Sequence, residues 1–120
     1  MPPRFRHAAF AISLLMVSAA CQAQAAARGD PERGKQAIEH YGCVSCHVIP
    51  GIDNPGSNVA PPLREIGTRS YIAGVLPNTF ENMVRWLQDP PKVDPRTAMP
   101  NMGITEKDAR DIAAYLYTLK

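Results

Sequence analysis

Three side chains in the segment YGCVSCHVIPG, residues 41–51, are the chemically active types of this chain. Cys43 and Cys46 lie three apart, and His47 follows the second cysteine directly. Two thiols and an imidazole in that spacing suit three chemistries: a thiol–disulfide couple, a zinc site, or covalent attachment of a haem. A zinc site needs four ligands, or three and a water. Adjacent Cys and His residues rarely reach one tetrahedral metal together. His40 is the one further candidate nearby. A thiol–disulfide couple usually opens a helix in a strand-bearing domain. Here the pair follows a helical segment that stops at Gly42, and no segment alternates with a two-residue period.

C-x-x-C-H is the attachment pattern for c-type haem, and each element has a physical task. Cys43 and Cys46 add across the two vinyl groups and leave thioether bonds. The two residues between them let the chain turn so that both sulfurs reach one edge of the porphyrin. His47 then delivers its imidazole to the iron as the proximal ligand. A sixth ligand must come from elsewhere. Met83 lies on an apolar helical stripe, which suits core packing. His40 is too close in sequence to reach the opposite haem face and reads as a solvated helix residue. Met99 stands in VDPRTAMPNMG, where Pro95 and Pro100 stiffen the chain around it. Met102 lies beside Gly103 and the last helix, where packing is the expected role. Met99 is therefore the preferred ligand. A His/Met pair raises the reduction potential and leaves no open coordination position.

These residues need elements to hold them. DPERGKQAIEHYG predicts a helix over 31–41, with Asp30 as N-cap, Pro31 in the first turn, Glu32 at the positive end of the dipole and Gly42 as stop. ITEKDARDIAAYLYTLK predicts a second. Thr105 and Asp108 have capping-box spacing, and Ile104 and Ala109 are placed to staple the entry. Ala109, Ile112, Ala113 and Leu116 recur at helical spacing, and Leu119 extends the stripe. Between them Phe80, Met83, Val84 and Leu87 mark a third helix that Pro90 ends. Short helices are expected near Leu63 to Ile66 and around Tyr71. Two stretches, 48–62 and 89–103, are rich in proline and read as stiff, irregular loops. Loops this long in a small domain are usually functional or disordered. No real sheet is expected.

The 120-residue chain opens with basic MPPRFRH, an apolar run and small residues at Ala23 and Ala25. This is the order of a secretory signal, and the apolar run is shorter than a membrane-spanning helix requires. Residues 1–25 are expected to be a cleaved signal peptide, or a lipoprotein signal ending before Cys21, with residues 26–120 as the working domain. Of 13 lysines and arginines, Arg4 and Arg6 fall in the leader, which leaves 11 basic against 11 acidic side chains. No basic stripe survives, so nucleic acid is not expected as a partner. The remaining domain is small and proline-rich, a composition that usually needs a staple or a bound cofactor.

On these motifs the chain resembles the class I c-type cytochromes, from Gly29 to Lys120. GCVSCH matches the attachment motif. APPL resembles the family's G-P-x-L segment, with Ala60 where glycine is usual. TAMPNMGIT resembles the methionine-ligand loop. The resemblance implies that the Pro61 carbonyl meets the His47 ring, that Leu63 packs on the haem, and that Trp86 lies near a propionate. The stretch from Tyr71 to Gly103 is also similar to cytochrome c domains associated with bacterial haem–copper oxidases, which makes Arg69 and Tyr71 candidates for propionate contact.

The expected fold is all-α: three to five helices around one covalently bound haem c and its iron. The first and last helices cross, with Gly34 allowing close approach. The expected function is one-electron transfer rather than catalysis, in the periplasm or at the outer face of the inner membrane. Partners would be a quinol-oxidising complex and a terminal oxidase or dehydrogenase. A tether would come from a lipidated Cys21 or an uncleaved leader. The alternative is a haem-binding subunit of an oxidase or dehydrogenase complex, or a haem enzyme or sensor with a displaceable sixth ligand.

Overall fold

The computed structural model describes residues 28–120; the expected leader, with Cys21, lies outside the described residues. Helix α1 spans Pro31–His40. The Asp30 carboxylate accepts from the backbone N–H of Glu32 at 2.9 Å and of Arg33 at 3.2 Å. Two of the orphan donors at the helix start are thereby satisfied. Beyond its end Gly42 takes a left-handed φ of 69°, which turns the chain away. A single tight turn, Cys43–Ser45, follows at once.

Helix α2 spans Phe80–Gln88, capped by Thr79, whose hydroxyl accepts from the N–H of Asn82 at 3.3 Å. It buries Met83, Val84, Trp86 and Leu87. Asp89 ends it and caps helix α3, Pro90–Val93, by accepting from the N–H of Lys92 at 3.3 Å. The sequence places Asp89 to Gly103 in an irregular loop. The structure instead forms one helical turn there, because the fixed φ of two successive prolines suits a first turn, where no N–H partner is needed. Helix α4 spans Glu106–Leu116, with Thr105 as N-cap accepting from the N–H of Asp108 at 3.1 Å. It buries Ala109, Asp111, Ile112, Ala113 and Leu116.

Two local expectations are corrected. The short helix expected near Leu63 to Ile66 forms later, as a tight turn over Ile66–Thr68 after a left-handed Glu65. Around Tyr71 there is no helix. Strand β1, Tyr71–Ile72, pairs antiparallel with β2, Leu76–Pro77, in the register Tyr71 to Pro77 and Ile72 to Leu76. Ala73 and Gly74, at φ of 50° and 74°, reverse the chain between them. Strands of two residues are too short to leave an alternating pattern in the sequence.

The core forms where α1 and α4 meet and where α2 packs on α4. Ile38, Ala109, Ile112, Ala113 and Leu116 are buried at the first contact. Burial of each large aliphatic chain contributes about 1.5–3 kcal/mol. The two helix backbones meet at Gly34, where an added Cβ would overlap the carbonyl of Asp111. The expected role of Gly34 therefore holds. Facing it, the nearly buried Asp111 carboxylate accepts from the backbone N–H of Asp30 at 2.7 Å, from Arg33 Nε at 3.0 Å and from Lys107 Nζ at 2.9 Å. A charge buried among packed helices is tolerable because every oxygen is paired.

Candidate functional site

The Cys43–Ser45 turn presents the reactive trio. The N–H of Cys46 and that of His47 both donate to the Cys43 carbonyl, at 3.2 and 3.0 Å. The chain therefore doubles back within three residues. Both cysteines are free thiols, Cys43 half-buried and Cys46 exposed. Burial pushes the Cys43 thiol above its ordinary pKa. Among the described residues no three His, Cys, Asp or Glu side chains converge as a metal-ion cluster. The trio is thus not arranged as a tetrahedral zinc site, which needs its ligands around one point.

The second layer comes from the loop over 48–64. His47 Nδ1 lies 2.7 Å from the carbonyl oxygen of Pro61. A carbonyl can only accept, so Nδ1 carries the proton and Nε2 keeps its lone pair for a metal. The loop is pinned back onto the trio by two backbone bonds, from Ala60 to the Cys46 carbonyl at 3.0 Å and from Leu63 to the Val48 carbonyl at 2.9 Å. Asn54 adds a third tie. Its amide donates to the His47 carbonyl at 2.8 Å, while its oxygen accepts from the N–H groups of Gly56 and Ser57 at 2.6 and 3.1 Å. Sequence reading missed Asn54 as an individual. Asn followed two residues on by Gly is an Asx-turn signal, but nothing in it announces a contact seven residues back.

The remaining candidates divide. Leu63 and Met99 are half-buried and pack against the hydrophobic core. The backbone N–H of Met99 donates to Thr97 Oγ1 at 3.2 Å, which holds the methionine loop locally. Met102 is 42% exposed, so the packing role expected for it is not found. Left-handed Gly103 turns the chain before Ile104, and Ile104 enters the core instead. Met83 is buried, as its stripe position implies, and His40 is exposed. Trp86 is buried in the same core. Arg69 donates through Nη2 to the carbonyls of Pro62 and Arg64, at 2.7 and 2.9 Å. Tyr71 is 59% exposed, and among the described residues its hydroxyl has no hydrogen-bond partner.

A c-type haem is consistent with this donor set. Two free thiols flank a tight turn, and an imidazole whose distal nitrogen is free stands beside them. A half-buried thioether packs on the apolar core.

The cytochrome c family model matches residues 31–120. The chain belongs to the cytochrome c family. Its cofactor is accordingly haem c, covalently attached and carrying iron. Residues of this cytochrome are 34% identical, over 89 residues, to cytochrome c oxidase subunit 2 of Alkalihalophilus pseudofirmus. They are 30% identical, over 88 residues, to the subunit of the same name in Bacillus subtilis. Those matches cover 73% and 72% of this chain, but the chain spans only about 25% of either relative. Among solved structures, cytochrome c2 from Rhodobacter sphaeroides superposes with a TM-score of 0.55 at 22% identity, covering 76% of this chain and 96% of that one. At that identity the likeness establishes the fold: a small all-α cytochrome c fold, with four helices among the described residues.

Proposed function

We propose that this cytochrome carries single electrons between respiratory partners, with haem c held by Cys43 and Cys46 through thioethers and by His47 and Met99 as axial ligands. Bound haem c supplies a ferrous–ferric couple. The chain's residues set its surroundings. His47 offers Nε2 because Nδ1 is tied to the Pro61 carbonyl, and that tie raises the basicity of the imidazole. Met99 offers a soft thioether, which with histidine raises the potential and fills the sixth position. Leu63, Trp86 and the core beneath them exclude water, and lower dielectric also tunes the potential. Among the described residues Arg69 Nε and Nη1 and the Tyr71 hydroxyl have no partner, which leaves them for a propionate. The observation that carries this reading is the 2.7 Å contact of His47 Nδ1 with Pro61 oxygen, immediately after a C-x-x-C turn.

The chain would act after export, in the periplasm or tethered at the outer face of the inner membrane through Cys21 or the leader. A quinol-oxidising complex as donor and a terminal oxidase as acceptor suit a His/Met couple. A second reading, a haem-bearing subunit of an oxidase complex, is favoured by the similarity to subunits named cytochrome c oxidase subunit 2. The test is an absorption spectrum of protein expressed with a haem-ligation machinery, with a pyridine haemochrome assay. Thioether-linked haem and a far-red sulfur–iron band are expected, and Met99→Ala should abolish the band and lower the potential. Loss of the band in Met102→Ala but not in Met99→Ala would overturn the ligand assignment. Rapid carbon monoxide binding by the reduced protein would point instead to a displaceable sixth ligand. The mass of the mature N-terminus decides between cleavage, lipidation and a retained leader.

A further inference from the structure

We propose that Arg69 is a positioning residue for His47: by tying down the Pro62 carbonyl it holds the prolyl segment that aims the Pro61 carbonyl at His47 Nδ1. The inference rests on His47 as an iron ligand. Pro61 and Pro62 have no N–H and a ring-fixed φ, so only their ψ angles can swing these two carbonyls. Each carbonyl has one partner. Pro61 faces His47 Nδ1 at 2.7 Å, and Pro62 accepts from Arg69 Nη2 at 2.7 Å. The same Nη2 donates to the Arg64 carbonyl at 2.9 Å and so clamps both ends of the Pro62–Arg64 step. These bonds anchor the chain just beyond the Pro61–Pro62 peptide, so a swing of that peptide about the ψ of Pro61 would have to move the tied carbonyls as well.

Arg69 is itself anchored. Asn78 Nδ2 donates to the Arg69 carbonyl at 2.7 Å and to the Ile66 carbonyl at 2.8 Å. Asn78 Oδ1 accepts from the Tyr117 hydroxyl at 2.6 Å, at the C-terminal cap of α4. The tether therefore runs from the last helix through Asn78 and Arg69 to the ring of His47. This role is separate from a propionate contact, for which Nε and Nη1 remain.

The two roles move the reduction potential in different ways. A weaker bond at Nδ1 makes the imidazole less basic, stabilises the ferric state less and raises the potential. Loss of a cation alone favours the ferric state and lowers it. Arg69→Lys keeps the charge, but Nζ ends one bond short of Nη2 and cannot span both carbonyls from the same Cα. In the full-length holoprotein Arg69→Lys should raise the ferrous-to-ferric ratio at fixed ambient potential by at least about twofold, less than the roughly 10–100-fold effect of losing an outer-shell partner outright because Pro61 itself is kept. Asn78→Ala, which leaves the Arg69 charge untouched, should shift the ratio the same way, and the double variant should add little to either single one. An unmoved or lowered ratio in Arg69→Lys overturns the positioning role. So does full additivity of the two substitutions. The spectrum of each sample separates this failure from the larger one. An intact far-red band with an unmoved potential sinks only the role of Arg69. A wild-type protein without thioether haem or without that band sinks the axial-ligand reading itself.

Discussion

Replacing Asp111 by asparagine removes one buried charge while keeping the side chain's shape, and the structure sets the size of the effect. Burial by itself would raise the pKa of this carboxyl. The hydrogen bonds from Arg33, Lys107 and the Asp30 N–H, with the charge of Lys107, outweigh it and bring the pKa from 3.8 down to about 2. Because the folded value lies below the unfolded one, ionised Asp111 stabilises the fold above the unfolded pKa, and this contribution is lost as pH falls through about 2. The gap between those two values corresponds to about 2 kcal/mol at neutral pH. By the same relation roughly half of that contribution survives near pH 3. Arg33 and Lys107 are 51% and 68% exposed, so salt screens part of this sum and about 1–2 kcal/mol is the figure to expect in ordinary buffer. The substituted side chain also turns an amide donor toward two cations. Urea unfolding of wild type and Asp111→Asn, followed by helical circular dichroism, measures the difference. Any acid effect on the haem ligands is common to both proteins and cancels in it. A gap that stays constant between pH 7 and pH 3, or one below about 0.5 kcal/mol at pH 7, refutes the claim that a paired buried carboxylate joins the first and last helices.

Other substitutions probe other contacts. Gly34→Ala should gain about 1 kcal/mol of helix propensity yet lose about 1–3 kcal/mol to overlap with the Asp111 carbonyl, so its urea midpoint should fall. Asn54→Ala removes the amide bridge between the His47 carbonyl and the 56–57 turn. It should cost about 1–3 kcal/mol of stability and broaden the His47 ring resonances in nuclear magnetic resonance spectra. Tyr115→Phe deletes the bond from its hydroxyl to the Pro50 carbonyl, 2.7 Å long and partly exposed, and should cost about 1 kcal/mol in the same unfolding assay.

The haem-attachment trio and the helices around it are legible from the sequence because both are local. C-x-x-C-H is a spacing, and a vinyl edge admits few other ways to be reached. Asp30, Thr105 and Gly42 act on backbone groups within three residues, so their types predict their roles. Gly34 stands on the edge of a local reading. Its place in α1 is visible from the pattern, and its necessity appears only where the Asp111 carbonyl crosses it.

What tertiary structure alone decided are the contacts between segments distant in the chain. The bond of Asp111 to Lys107, four residues before it, is local, but only α1 brings Arg33 and the Asp30 N–H onto the same carboxylate. Met102 has the composition of a packing residue, but left-handed Gly103 turns the chain so that Ile104 takes the core and Met102 meets solvent. Arg69 is a candidate for propionate contact on its resemblance alone, yet the fold also directs its Nη2 onto backbone carbonyls five and seven residues earlier. Spacing within a turn fixes local hydrogen bonds because only a few backbone angles separate the partners. Which distant carbonyl or carboxylate a side chain finds depends on the packing of whole helices, and no short motif records it.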